Sequence, residues 1–186
     1  MIKIISPFLW LALIACNEVT YDVIKCDYVS TMTRRNTKSY YSIIQYEKKD
    51  TVFQNLYFDI DSSFTIMNNR SFEAIEAFSD TAYFLYNSIC LKKNIDIGKS
   101  WSSKHGQIPV TVILRKIEQK IIDGHKFEKC YIYEIKYNAD SWTIEFSDCI
   151  LYFDFDSKVV IQKDTYYEGR LIGCDKLEKI NIWELN

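Results

Sequence analysis

The stretch VTVILRKIEQKIIDGHKFEKCYIYEIKY, residues 110–137, decides the fold. Apolar and polar residues alternate on both sides of Asp123-Gly124, and an Asp-Gly pair between two such segments is a strong signal for a two-residue hairpin turn. That turn would set Val110, Val112 and Leu114 opposite Tyr137, Ile135 and Tyr133. Alternate residues of a strand point to the same face, so the stretch predicts an antiparallel hairpin with one apolar face.

A second turn signal, Asn138-Ala139-Asp140-Ser141, follows directly. It would bring a third strand beside the hairpin and add Trp142, Ile144 and Phe146 to the same face. The two turns independently predict the same three-stranded meander. The candidate apolar face for a ligand is Tyr133, Tyr137, Trp142 and Phe146.

The same register sets Cys130 opposite Cys149, at a spacing that a disulfide can bridge. Against that pairing, the apolar alternation changes phase near Ser147-Asp148, and Glu134 would face Glu145. The candidate disulfide Cys130 to Cys149 and a pair of buried free thiols therefore both remain open. The other cysteines of the expected domain form an odd set, so at least one stays unpaired. They are Cys26, Cys90 and Cys174.

The rest of the chain also favours strands, since it contains 11 Phe, 14 Tyr and 4 Trp. Strands are expected over 21–30, 39–67, 151–155, 158–163 and 177–185, with 82–91 either strand or helix. Residues 71–78, which Ser71 would cap, are the best candidate for a short helix. The predicted fold class is mainly β: a single antiparallel curved sheet or half-barrel meander with one or two short helices.

The N-terminal residues have the pattern of a targeting segment. After Lys3 the chain is apolar from Ile4 to Ala15, apart from Ser6 and Pro7, and this run is too short to span a membrane but suits a secretory signal peptide. The run ends Leu13-Ile14-Ala15-Cys16, which resembles the lipobox of bacterial lipoprotein precursors. The alternatives are an ordinary signal peptide and an uncleaved apolar helix.

The lipobox resemblance implies cleavage before Cys16 and attachment of diacylglycerol and a further acyl chain such as palmitate to that cysteine. Several acyl chains suffice for stable anchoring. The predicted organisation is then a signal peptide at 1–15, a lipidated tether at 16–20 and one β-rich domain at 21–186. The mature chain would carry 22 basic and 25 acidic residues, a formal charge of −3. The predicted location is the bacterial cell envelope, lipid-anchored in the outer membrane.

IGKSW (97–101) and IIDGHKFEKCYIYEIK (121–136) resemble segments of small lipoproteins common in Bacteroidota. The positions that carry the likeness are Gly98, Trp101, Gly124, Phe127 and Cys130. These relatives have curved antiparallel sheets like those of the lipoprotein carrier proteins. The resemblance implies a concave sheet face that holds an acyl chain, a lipid or an apolar peptide.

Catalytic and metal motifs are absent from the sequence. His105 and His125 lack partners at metal-ligand spacing, no nucleophile elbow or phosphate loop occurs, and no basic patch with interleaved aromatics indicates nucleic acid. The D-x-D pairs at 59–61 and 154–156 fit strand alternation as well as a calcium loop. The prediction is a non-enzymatic module without cofactor or metal that binds an apolar ligand. The alternative is an envelope scaffold or surface interaction protein whose partner is another envelope protein.

Overall fold

Antiparallel strands make up nearly all of the regular structure. The computed structural model describes residues 23–33, 36–48, 51–60, 63–65, 75–76, 83–86, 88–138 and 147–183. Within those ranges there is no helix, and the fold class is confirmed as mainly β. The strands are β1 (Val23–Met32), β2 (Thr37–Lys48), β3 (Thr51–Ile60), β4 (Ser63–Thr65), β5 (Ile75–Glu76), β6 (Tyr83–Tyr86), β7 (Ile89–Lys92), β8 (Ser100–His105), β9 (Ile108–Ile122), β10 (His125–Tyr137), β11 (Cys149–Asp154), β12 (Val159–Tyr167) and β13 (Arg170–Trp183).

One large open sheet contains most of these strands. Its order is β4-β3-β2-β1-β13-β12-β11-β10-β9-β8, and β5 also pairs with β3. From β8 to β13 each strand pairs with the next in sequence, as a meander requires. Strand β1, the first of the described strands, pairs with the last of them, β13. Strands β6 and β7 form a separate hairpin.

The β9–β10 hairpin confirms the predicted register. Asp123 and Gly124 have φ of 49° and 78°, as a two-residue turn with both central residues left-handed requires. Leu114 pairs with Tyr133, and Val112 and Val110 pair with the next two alternate residues of β10. Two bulges interrupt the ladder, one after Phe127 on β10 and one after Leu114 on β9. Because the bulges lie on opposite strands, their one-residue shifts cancel.

The third strand of the predicted meander was misplaced. The neighbour of β10 is β11, residues 149–154, where Tyr133 pairs with Leu151 and Ile135 with Cys149. Leu151 therefore takes the position beside Tyr133 that the sequence analysis assigned to Phe146. Residues 139–146, which include the predicted turn and Trp142, Ile144 and Phe146, lie outside the described part of the chain.

The candidate disulfide is also wrong. Cys130 pairs with Asp154, and Cys149 pairs with Ile135, five residues further along β10. At about 3.3 Å per residue the two cysteines are separated by roughly 16 Å along the sheet, beyond disulfide reach. Both are free thiols, as are Cys26, Cys90 and Cys174. The phase change near Ser147-Asp148 was the sequence signal for this shift.

The predicted helix at 71–78 is contradicted where the structure describes it. Ile75 and Glu76 form β5 and pair with Val52 and Thr51 of β3. The remaining residues of that segment are outside the described ranges.

Two apolar clusters hold the sheet together, and β10 contributes to both. Tyr131, Tyr133 and Ile135 belong to a cluster with β7, β9 and β11. Cys130 and Ile132 belong to another with β1, β12 and β13. Since successive residues of a strand point to opposite faces, β10 is covered on both sides. The sheet is therefore not the simple one-sided layer that the alternation predicts.

Candidate functional site

Tyr133, the centre of the candidate apolar face, lies in the protein's own core. Its side chain is fully buried, its ring packs edge-on against Trp101 at 6.1 Å, and its hydroxyl donates to the carbonyl of Lys92 at 2.8 Å. Ile89 and Leu91 of β7 complete the same cluster. The chain itself, through β7, covers this face, so Tyr133 is not available to a ligand.

Tyr137 lies at the half-buried margin of the same face. Its hydroxyl is 2.7 Å from Nδ1 of His105, and its backbone N–H donates to the Asp148 carboxylate at 2.9 Å. Burial raises the pKa of the Tyr137 hydroxyl, so the group stays neutral at ordinary pH. The other two members of the candidate face, Trp142 and Phe146, are outside the described residues. The two described members, Tyr133 and Tyr137, therefore do not form a ligand site.

Burial makes the described thiols weak acids. Burial raises the pKa of Cys26 and Cys130 to about 12 and that of Cys149 to about 11. The pKa of Cys174 is raised to about 12 by burial and by the neighbouring Asp164 carboxylate. A cysteine reacts as its thiolate, so a raised pKa disfavours these four thiols as nucleophiles at neutral pH.

Three acidic or histidine side chains that the sequence singles out, Asp154, Asp156 and His125, serve turns and packing. The Asp154 carboxylate accepts bonds from the N–H and the hydroxyl of Ser157, both at 2.7 Å, and Asp156 pairs with Lys93. His125 packs edge-on against Phe127. Across the described ranges, no three His, Cys, Asp or Glu side chains come together as a metal site would require. The D-x-D pair at 154–156 is explained by a turn.

A shallow groove of about 380 Å³ lies between the tip of the β9–β10 hairpin and β13. Charged and apolar side chains both line its walls. A site for an acyl chain would need a mainly apolar lining that encloses most of the ligand, and this groove lacks one. The lining residues are Ile121, Ile122, Asp123, Lys176, Leu177 and Glu178.

Among the described residues, most exposed large apolar side chains lie at the two ends of the strands, and the exception, Ile97, lies in the loop between β7 and β8. The Val23 end comprises the start of β1, the end of β13 and the turns β9–β10 and β11–β12, which the ladder register places together. It exposes Ile121 (63 %), Ile182 (42 %) and Trp183 (46 %). The Met32 end, at the opposite side, exposes Met32, Tyr40 and Leu171.

Sequence reasoning missed these two surfaces. Ile182 and Trp183 fall in a segment that was expected to be a strand, and an apolar residue in a strand is ordinarily assigned to the core. The one available signal was Ile121-Ile122, where two consecutive apolar residues break the alternation next to the turn.

Comparisons with known proteins give a weak structural likeness. No family model and no curated protein matches the sequence. A crystal structure of MucB in complex with MucA(peri) has a TM-score of 0.45 at 11 % identity and covers 89 % of this chain and 52 % of that one. The Pseudomonas aeruginosa MucA/MucB complex has the same TM-score at 11 % identity, covering 87 % and 52 %. The chain spans about half the length of these structures, and values this low assign neither fold nor function.

The signal peptide predicted at 1–15 and the candidate anchor Cys16 lie before the first described residue. Among the described residues, none belongs to a helix long and apolar enough to cross a bilayer.

Proposed function

We propose that this protein is a lipid-anchored, non-enzymatic interaction protein of the bacterial envelope. The observation that carries the anchor is the sequence Leu13-Ile14-Ala15-Cys16, which ends an apolar run of signal-peptide length. Cys16 would hold diacylglycerol and keep the β domain on the membrane, with the outer membrane as the proposed location.

The interaction role is preferred to binding of an apolar ligand because of Tyr133. A module that holds an acyl chain needs an open apolar face, and the nominated face is filled by Trp101, Ile89 and Leu91. Exposed apolar side chains remain at the Met32 end of the sheet, where a macromolecular partner can reach them. A catalytic role is not proposed, because no convergent polar groups are found among the described residues.

Replacement of the anchor cysteine tests the first half of the proposal. Cys16→Ser removes the thiol that forms the thioether, so the full-length variant, expressed in a bacterium that processes lipoproteins, should not incorporate labelled palmitate and should remain unprocessed. Cys90→Ser is the matched control, since it removes a thiol of β7 and leaves the lipobox intact. Normal labelling and membrane retention of Cys16→Ser would show that the lipobox assignment is wrong.

Native mass spectrometry of the lipidated protein tests the second half. Protein purified from its own membrane in mild detergent is expected to carry only the covalent anchor mass. A stoichiometric, non-covalently retained lipid or apolar peptide would contradict the interaction role and favour ligand binding.

A further inference from the structure

We propose that the Val23 end of the sheet lies on the lipid surface that holds the anchor, with Ile182 and Trp183 in the headgroup region. This inference rests on the proposed acylation of Cys16. It adds an orientation: the domain stands end-on on the membrane, and the Met32 end points away from it.

The length of the tether places the Val23 end near the bilayer. Only residues 17–22 separate Cys16 from Val23, the first residue of β1. Fully extended, seven Cα-to-Cα steps span at most about 25 Å, because a residue advances by no more than about 3.6 Å. Val23 pairs directly with Trp183. The exposed tryptophan is therefore one strand spacing from the point where the tether enters the fold.

The pattern of exposure identifies an end rather than a face. Ile182 and Trp183 are consecutive in β13, so their side chains point to opposite faces of the sheet, yet both are more than two-fifths exposed. A partner lying on one face would cover only one of them. A surface that meets the strand end covers both, and Ile121, at the same end, adds a third apolar group.

The chemistry of this end suits lipid headgroups. Tryptophan is enriched at membrane interfaces because its ring is apolar while its N–H stays hydrated. Charged side chains of both signs lie at this end, among them the ion pairs of Lys126 with Glu128 and of Lys93 with Asp156.

Fluorescence quenching by brominated lipid tests the orientation. The lipidated mature protein is reconstituted into phosphatidylcholine vesicles containing lipid brominated near the headgroup end of the acyl chain. The Trp183 signal is the difference between wild type and Trp183→Phe. It is expected to fall by about half or more in brominated vesicles, since an interfacial side chain reaches the headgroup–acyl boundary.

A tryptophan at the Met32 end is the matched control. Tyr40→Trp, made in the Trp183→Phe background, places an exposed indole at the opposite end. The fluorescence that this indole adds to that of Trp183→Phe should not be quenched by the brominated lipid. Vesicle-bound wild type with an unquenched Trp183, or equal quenching at both ends, would overturn the end-on orientation while leaving the anchor intact. A protein that carries no diacylglycerol would overturn the proposed function and this inference together.

Discussion

At the scale of single residues, hydroxyl groups connect the buried aromatic rings to the backbone. Tyr133 donates to the Lys92 carbonyl, and Tyr28 donates to the carbonyl of Val160 at 2.7 Å. The Tyr28 ring also stacks on Tyr41 at 5.0 Å. Each bond joins residues distant in sequence, so these tyrosines determine where one segment covers another as well as filling space.

Tyr133→Phe measures the bond that holds β7 over the sheet. The change keeps the ring but removes the hydrogen bond to the Lys92 carbonyl, and an intramolecular hydrogen bond contributes about 0.5 to 1.5 kcal/mol net. We expect the free energy of unfolding in urea to fall by that amount. Tyr40→Phe removes an exposed hydroxyl and should change it by less than about 0.5 kcal/mol. Equal effects of the two changes would contradict the role of the Tyr133 hydroxyl.

At the scale of elements, two-residue turns specify the hairpins and bulges adjust them. Glu168 and Gly169 have φ of 49° and 74°, repeating the conformation of Asp123-Gly124 between β12 and β13. Three ladders of the meander contain a register shift between neighbouring pairs. A turn specifies the register only near itself, whereas bulges decide which side chains face the core farther along the strands.

Gly124→Ala tests the turn that defines the β9–β10 register. At φ of 78° a Cβ is disfavoured by about 1 to 2 kcal/mol, and we expect the free energy of unfolding to fall by that amount. The control is Gly173→Ala in β13, where a Cβ would meet only the Thr31 carbonyl oxygen, at an ordinary 3.7 Å. That variant should be as stable as the wild type or slightly more stable, since glycine weakens a strand interior. Greater damage from the Gly173 change would contradict this assignment.

At the scale of the whole molecule, burial of tyrosines links folding to alkaline pH. Burial raises the pKa of Tyr28, Tyr41 and Tyr133 above their ordinary value of about 10. The folded state therefore keeps protons that the unfolded state releases above about pH 10. Stability from these groups is fully present below that pH and is lost as the pH rises further.

An alkaline titration checks this coupling. Phenolate absorbance of the 14 tyrosines should rise in two stages, an early one from exposed rings and a late cooperative one that coincides with loss of the β signal in circular dichroism. A single gradual transition near pH 10 with the β signal intact would contradict the burial of these rings.

The sequence by itself determined the β class, the β9–β10 register and the candidate anchor, because each rests on local chemistry. Asp123-Gly124 favours one turn, and that turn specifies the pairs from Leu114 with Tyr133 to Val110 with Tyr137. A lipobox is likewise recognised by adjacent residues, although the anchor itself stays a prediction.

Only the tertiary structure decided which strand follows β10 and what covers its apolar face. Segment 142–146 alternates apolar residues, and segment 149–154 is apolar at every position but the last. Either can present an apolar face, so local pattern does not choose between them, and the structure pairs Leu151 with Tyr133. Cys130 and Cys149 remain apart for that reason. Covering Tyr133 depends on Ile89 and Leu91, more than 40 residues earlier in the chain. Whether a residue is buried depends on how the whole chain packs, whereas alternation in the sequence indicates only that one face of a strand is apolar.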